Sequence, residues 1–195
     1  MRDCYKKFWK TVLVEKMGGD LPQFTLKEGA ARKAADEIKP STKPINFVWN
    51  PVAKLNFTIE FCVPGKQDHF EAWFYWSEIA KAGANGTEAL NCPFPEDIYA
   101  LVNASVMLSA LSGAIDGKSR VSRWKFWEPT RELGTSRESH AEWQTEFLTE
   151  EMRFVSDEEA RQRVEIAVDK AMIDIKRLAL PWFEKKLDWY QKNRK

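Results

Sequence analysis

Three cysteines (Cys4, Cys62 and Cys92) are few for 195 residues, and odd in number. No C-x-x-C pair and no histidine at zinc-ligand spacing accompanies them, which excludes a disulfide framework and a structural zinc site. No metal or other cofactor is therefore expected. Net charge is also scarce: 30 basic residues against 29 acidic ones leave +1, and a chain so balanced does not coat nucleic acid through bulk electrostatics. No apolar run approaches the ~20 residues that span a bilayer. The opening MRDCYKKFWKTVLVEK carries charges where a secretory signal has its apolar centre. A cytoplasmic protein without a membrane partner is the expectation. Catalytic signatures are missing as well: there is no G-x-S-x-G, H-E-x-x-H, P-loop or G-x-G-x-x-G. Hydrolase, metalloprotease and nucleotide-binding readings thus have no positive support.

Aromatic residues, by contrast, are abundant, with nine tryptophans and twelve phenylalanines. A chain that is 44% hydrophobic and 30% charged has the composition of a folded globular protein. At this length a single domain over 1–195 buries roughly 70% of its unfolded surface without staples. The stretch HFEAWFYW, His69 to Trp76, concentrates the signal. A half-buried strand needs apolar residues only at alternate positions, yet Trp73, Phe74, Tyr75 and Trp76 are consecutive.

Cys4/Tyr5, Phe8/Trp9 and Val12/Leu13 recur at helical spacing, with Lys6, Lys7 and Lys10 toward water and Gly18-Gly19 as a stop. TLKEGAARKAADEIK opens on a capping-box pattern, Thr25 to Glu28, and predicts a second helix to Ile38. INFVWN, ending in a turn at Asn50-Pro51, and KLNFTIEFCV alternate as strands, and HFEAWFYW returns antiparallel to the latter. Phe70, Ala72, Phe74 and Trp76 must share a face with Phe57, Ile59 and Phe61. The register that pairs Val63 with Phe70 and Ile59 with Phe74 does this without setting Glu60 opposite Glu71. It also places Glu71, not His69, across from Cys62. Trp73 and Tyr75 then lie on the outer face beside Thr58, Glu60 and Cys62.

From Pro95 to Gly117 small and apolar residues surround the helical circumference, predicting a buried helix. RVSRWKFWEP predicts a strand with Trp124 and Phe126 on one side and Arg123, Lys125 and Trp127 on the other. Two long helices close the chain. One runs from Thr135, boxed with Glu138, to Val155; the other runs from Ser156, boxed with Glu159, to Leu180, where Pro181 kinks or restarts it. The expected architecture is α+β: an antiparallel sheet of about four strands against helices, with an N-terminal helix and two long C-terminal ones.

Phe57 to Val63, Trp124 to Trp127 and Pro181-Trp182-Phe183 together resemble a family of uncharacterised bacterial domains that end in a Pro-Trp-Phe segment. Where that family usually carries Gly-Phe followed by basic residues, this chain has GGDLPQFTLKEG. The resemblance implies an α+β fold and a bacterial, intracellular setting, and it brings no functional residue with it.

Three features bear on function. In the helix from Thr135, Trp143, Phe154, Phe147, His140, Val155, Leu148 and Met152 fill one arc, while Glu138, Glu142, Glu146 and Glu150 form an acidic stripe opposite. Such a stripe serves a basic partner or a cation, but a solvated face is the commoner meaning. In GKSRVSRWKFWEPTR, Arg120, Arg123 and Lys125 interleave with Trp124 and Trp127, the chemistry of single-strand binding; a half-exposed edge strand has the same composition. Finally, Trp73, Tyr75, Arg123 and Trp127 would form an aromatic-cationic patch if they shared the outer sheet face, unless a terminal helix bearing Phe183, Leu187 and Trp189 covers it. The leading expectation is a non-enzymatic interaction domain that binds a protein through Trp73, Tyr75 and Trp127. The alternative is a nucleic-acid-associated accessory protein using Arg120, Arg123, Trp124 and Lys125. A third is an enzyme without a recognisable motif, drawing on Cys62, His69, Glu71 or Asp97; a Cys62–His69 pair would need hydrogen-bond reach and an orienting group.

Overall fold

Alternating apolar residues in three consecutive segments dictate a sheet with one face for the core. The computed structural model describes residues 1–27, 43–53, 55–63, 68–78, 105–107, 124–129 and 136–193. Five antiparallel strands lie in chain order, β1 (Thr25–Lys27), β2 (Ile45–Val52), β3 (Leu55–Cys62), β4 (His69–Glu78) and β5 (Ser105–Met107). A two-residue strand, β6 (Trp124–Lys125), pairs with the start of β4. The fold is α+β as expected, with more strands than the four anticipated. Ile59 faces Phe74 and Cys62 faces Glu71, the register that hydrophobic alternation and avoidance of a Glu60–Glu71 pair require.

Three segments depart from the sequence reading. Thr25 does not cap a helix: it pairs with Val48, and its hydroxyl donates to the Val48 carbonyl at 3.1 Å. The reason is tertiary. Phe24 is buried between Trp49 and Phe183, with ring centroids 5.6 Å from each, and this anchors the chain along β2. Beyond Lys27 the expected helix lies outside the described residues. Strand β2 continues through Pro51 instead of turning, with a register shift between Trp49 and Val52; an irregularity is where a strand tolerates a residue without an N–H. Ser105–Met107, expected within a helix, pair with Trp73–Tyr75 as β5. A short apolar run reads alike as buried helix or buried strand, and the free backbone edge of β4 decides between them.

Helix α1 (Asp3–Asp20) buries Tyr5, Trp9, Val12, Leu13 and Met17 and leaves Lys6, Lys7 and Lys10 exposed. It runs through Gly18-Gly19 because Met17 and Leu21 are buried on either side, the Leu21 N–H reaching the Met17 carbonyl at 2.9 Å. Helix α2 spans Arg137–Met152 and is capped by Ser136, not Thr135. Helix α3 (Asp157–Asp174) starts where expected, with the Ser156 side chain accepting from the Glu159 N–H. Its buried face is mostly small (Ala160, Val164, Ala167, Ala171) and admits α1 closely. A π-helical turn (Ile175–Ala179) leads into α4 (Leu180–Asn193). Pro181 has no N–H and its ring would crowd the preceding turn; the wider π turn, closed by the Leu180 N–H on the Ile175 carbonyl, lets the helix continue in place of a break.

Helices α1 and α4 both contribute to the core on the inner face of the sheet. Phe183 contacts Phe57 and Phe74 at 4.7 and 6.2 Å, and Trp9 contacts Phe70 at 6.0 Å. Phe183 therefore belongs to the core, not to a cover over Trp73 and Tyr75. Each large ring buried there contributes about 1.5–3 kcal/mol.

Trp9 and Trp124 are equally buried but differ in one bond. The Trp124 indole donates to Asp174 at 3.0 Å, whereas the Trp9 N–H has no hydrogen-bond partner among the described residues. Trp124→Phe is expected to lower the unfolding free energy by about 1–2 kcal/mol more than Trp9→Phe, because it also removes a hydrogen bond to a carboxylate that, among the described residues, keeps only Arg177 beside it. Urea titration of the two variants checks this, and equal losses would show that the Asp174 contact contributes nothing.

Candidate functional site

The outer sheet face is polar and largely buried. Asn46, Asn56, His69 and Glu71 are all buried there. Trp73 and Tyr75 are half-buried beside the residues expected from the register: Trp73 faces Glu60 and Tyr75 faces Thr58. The Tyr75 hydroxyl donates to Glu60 Oε1 at 3.2 Å. Burial first, and then the nearby Glu71 and Glu60 carboxylates, push the Cys62 thiol up to about 12, against a hydrogen bond from Trp73. At neutral pH Cys62 therefore stays a thiol and is no thiolate nucleophile. His69 Nε2 lies 3.6 Å from Glu71 Oε1 and has no hydrogen-bond partner among the described residues. A Cys–His nucleophile pair has no support here.

The basic-aromatic segment divides. Trp124 and Phe126 are buried, Trp127 is half-buried and Lys125 is exposed, with its ammonium 3.9 Å from Glu128. Arg120 and Arg123 lie outside the described residues, as do Cys92 and Asp97. Trp124 is a core residue and offers no face for stacking. Trp127 turns to α2: its ring centroid is 5.2 Å from Phe147, which stacks on Trp143 at 5.3 Å.

Residues that no local pattern singles out form the charged centre of the molecule. Asp68, just before β4, accepts from the Arg2 backbone N–H at 2.7 Å, from Arg2 Nε at 2.5 Å and from the Trp127 indole at 3.3 Å. Arg2 also donates to the Glu150 carbonyl at 2.8 Å and to the Tyr5 hydroxyl at 3.1 Å. Arg163 reaches that hydroxyl at 3.1 Å and Glu150 Oε1 at 2.6 Å. Arg153 joins Glu150 to Glu159. The partners are up to 158 positions apart in sequence, and their local traces are the short spacings of Arg2 and Tyr5, Glu150 and Arg153, and Glu159 and Arg163.

This cluster holds α2 in an unexpected orientation. The sequence places Trp143 in the core and the acidic stripe in water. No residue of α2 is buried, and its half-buried positions are Ser139, Trp143, Glu146, Phe147 and Glu150. At ~100° per residue these lie on the border between the aromatic arc and the acidic stripe, so the helix is rolled about a quarter turn from the expected contact. Two consequences follow. The acidic side, with Glu142, Glu146 and Glu150, lines an open cleft of about 700 Å³ shared with Trp127, Glu128 and Arg163. Leu148, at the other edge of the arc, is 48% exposed, Met152 is 82% exposed and Phe154, just beyond the helix, is 87% exposed. Among the described residues no group of three His, Cys, Asp or Glu side chains could hold a metal ion, and no helix is long and apolar enough to cross a membrane.

No family model, curated protein or solved structure matches this chain. The site is therefore read from its own geometry.

Burial by itself would raise the Glu150 carboxyl, but hydrogen bonds and charge from Arg153 and Arg163 outweigh it and hold the group below its ordinary 4.5. A lowered carboxylate stabilises the fold above its unfolded value, and that contribution disappears as pH falls through the lowered one. Glu150→Gln is expected to lose about 1–2 kcal/mol of stability at pH 7. The deficit should shrink as pH falls through the lowered value, where the parent carboxyl takes up its proton as well. Urea unfolding at pH 7, 5 and 3 checks this; a deficit that does not change with pH would contradict it.

Proposed function

We propose that this chain is a non-enzymatic, intracellular protein-interaction domain that engages its partner through the outward side of α2. One observation supports this reading above the others. Leu148, Met152 and Phe154 project into solvent within seven residues of one another at the end of a helix that buries nothing. Next to them stands a rim of partly exposed arginines and glutamates, Arg153, Glu150 and Glu159. Apolar anchors bordered by arginine and carboxylate groups are the composition of a docking surface. The surface differs from the outer sheet face, where Tyr75 is engaged with Glu60 and Trp73 with Cys62. The nucleic-acid alternative keeps the exposed Lys125 but has no stacking face on the buried Trp124.

Substitution of exposed side chains leaves stability within about 0.5 kcal/mol, so the double variant Met152→Ser/Phe154→Ser should fold as the parent does. Affinity capture from cells of the source organism, compared quantitatively between parent and variant, is expected to show one or a few proteins depleted at least tenfold with the variant. Identical capture by the two proteins, with matching circular dichroism, would reject α2 as the docking element.

A further inference from the structure

Helix α3 carries apolar residues on two sides. Val164, Ala167, Val168 and Ala171 are buried against the body. At ~100° per residue, Ile166 and Ile173 stand on the opposite side, aligned with each other to within about 20°. They are 49% and 64% exposed. Apolar residues scattered singly over a surface need no explanation. These two are in line, however, and a β-branched side chain is not a favoured choice for a solvated helix position.

Lys170 lies between them, about 6 Å along the helix axis from Ile166 and about 4.5 Å from Ile173. It is exposed and has no ion pair among the described residues. The neighbouring carboxylates are already engaged: Asp169 with Lys16 at 2.6 Å, Glu165 with Arg161 at 2.9 Å, and Asp174 with the Trp124 indole at 3.0 Å. The stripe Ile166–Lys170–Ile173 therefore presents two apolar anchors around one uncompensated cation.

We propose that the outward side of α3 is a second docking surface, and that its occupant is an amphipathic helix of another protein with an acidic residue between two apolar ones. Apolar residues four and three positions either side of a charge are what a helix offers to a helix, and the unpaired ammonium selects the sign of the partner's charge. A second copy of this chain fits less well. Its own stripe brings another Lys170, and the carboxylates beside that lysine are held by Lys16 and Arg161. An anionic membrane fits less well too, because Glu165 and Asp169 flank the stripe. Two isoleucines and one lysine make a contact at the low end of interface size, which belongs to transient partners. None of this depends on α2 being a docking element.

The test uses a phage-displayed library of single-helix peptides, selected on the full chain and counter-selected on Ile166→Gln/Ile173→Gln. Both isoleucines are exposed, so that variant should keep the parent's fold, with circular dichroism as the check. The recovered helices are expected to carry Glu or Asp between two apolar residues. Lys170→Glu should weaken their binding about tenfold or more, and exchanging the peptide's acid for lysine should restore it. Met152→Ser/Phe154→Ser should leave their binding unchanged, which separates this surface from α2. Recovery of no helix that distinguishes the parent from the double glutamine variant would overturn the proposal, as would equal binding by Lys170→Glu. Self-association of the parent, or its sedimentation with phosphatidylserine vesicles, abolished by the glutamine pair would also overturn it and assign the stripe to a second copy or to a membrane.

Discussion

Asp68 is the residue through which distant parts of this chain are tied together. Its carboxylate accepts three hydrogen bonds, two from Arg2 and one from Trp127, and its carbonyl accepts the Phe126 N–H at 3.0 Å. The start of α1, the entry to β4 and the segment after β6 therefore meet at one acidic residue that is only 11% exposed. Arg2 extends the connection to the end of α2 and to Tyr5, and Arg163 brings in α3. A charge pair so far out of water is stable only when its remaining hydrogen-bonding positions are filled. Here they are filled by backbone and side-chain groups from elements that would otherwise have little to fix their mutual position.

Much of the core was legible in the sequence because its logic is periodic. The strand faces, the Ile59–Phe74 register, the buried side of α1 and the start of α3 all follow from spacing and capping. The same alternation placed Trp73 and Tyr75 beside Glu60, Thr58 and Cys62. The misread elements were decided by contacts distant in sequence. Phe24 packs against Trp49 and Phe183, which makes Thr25 a strand residue although it begins a sound capping pattern. Val106 pairs with Phe74, which no helical wheel anticipates. Pro181 was expected to kink or restart the last helix; the π turn carries the helix past it.

Helix α2 shows why the candidate site was the least legible part. Its wheel is strongly two-sided, and the ordinary consequence is an apolar arc in the core. The orientation adopted is instead set by Glu150, which is drawn to Arg163 and Arg2, and by Trp127, which takes Phe147. Several charge-assisted bonds at one end of a helix outweigh the burial of Leu148 and Met152. The exposed apolar edge is thus a product of the charged cluster, and the proposed docking surface depends on the same interactions that hold the fold's end together. Of the residues singled out from sequence, Trp73, Tyr75, Trp124, Lys125 and Trp127 are described, and among these only Trp127 takes part in this cluster; Trp124 belongs to the core, and Trp73 and Tyr75 belong to a polar sheet face with its own partners.

The most direct measurement is a double-mutant cycle between Arg2 and Asp68, using Arg2→Met, Asp68→Asn and the pair, each unfolded in urea. If Asp68 organises this end of the molecule through Arg2, the single variants each lose about 2–4 kcal/mol and the double variant loses no more than the worse of them, a coupling of about 2 kcal/mol. Losses that add to within about 0.5 kcal/mol would contradict that account and make the contact one surface ion pair among many.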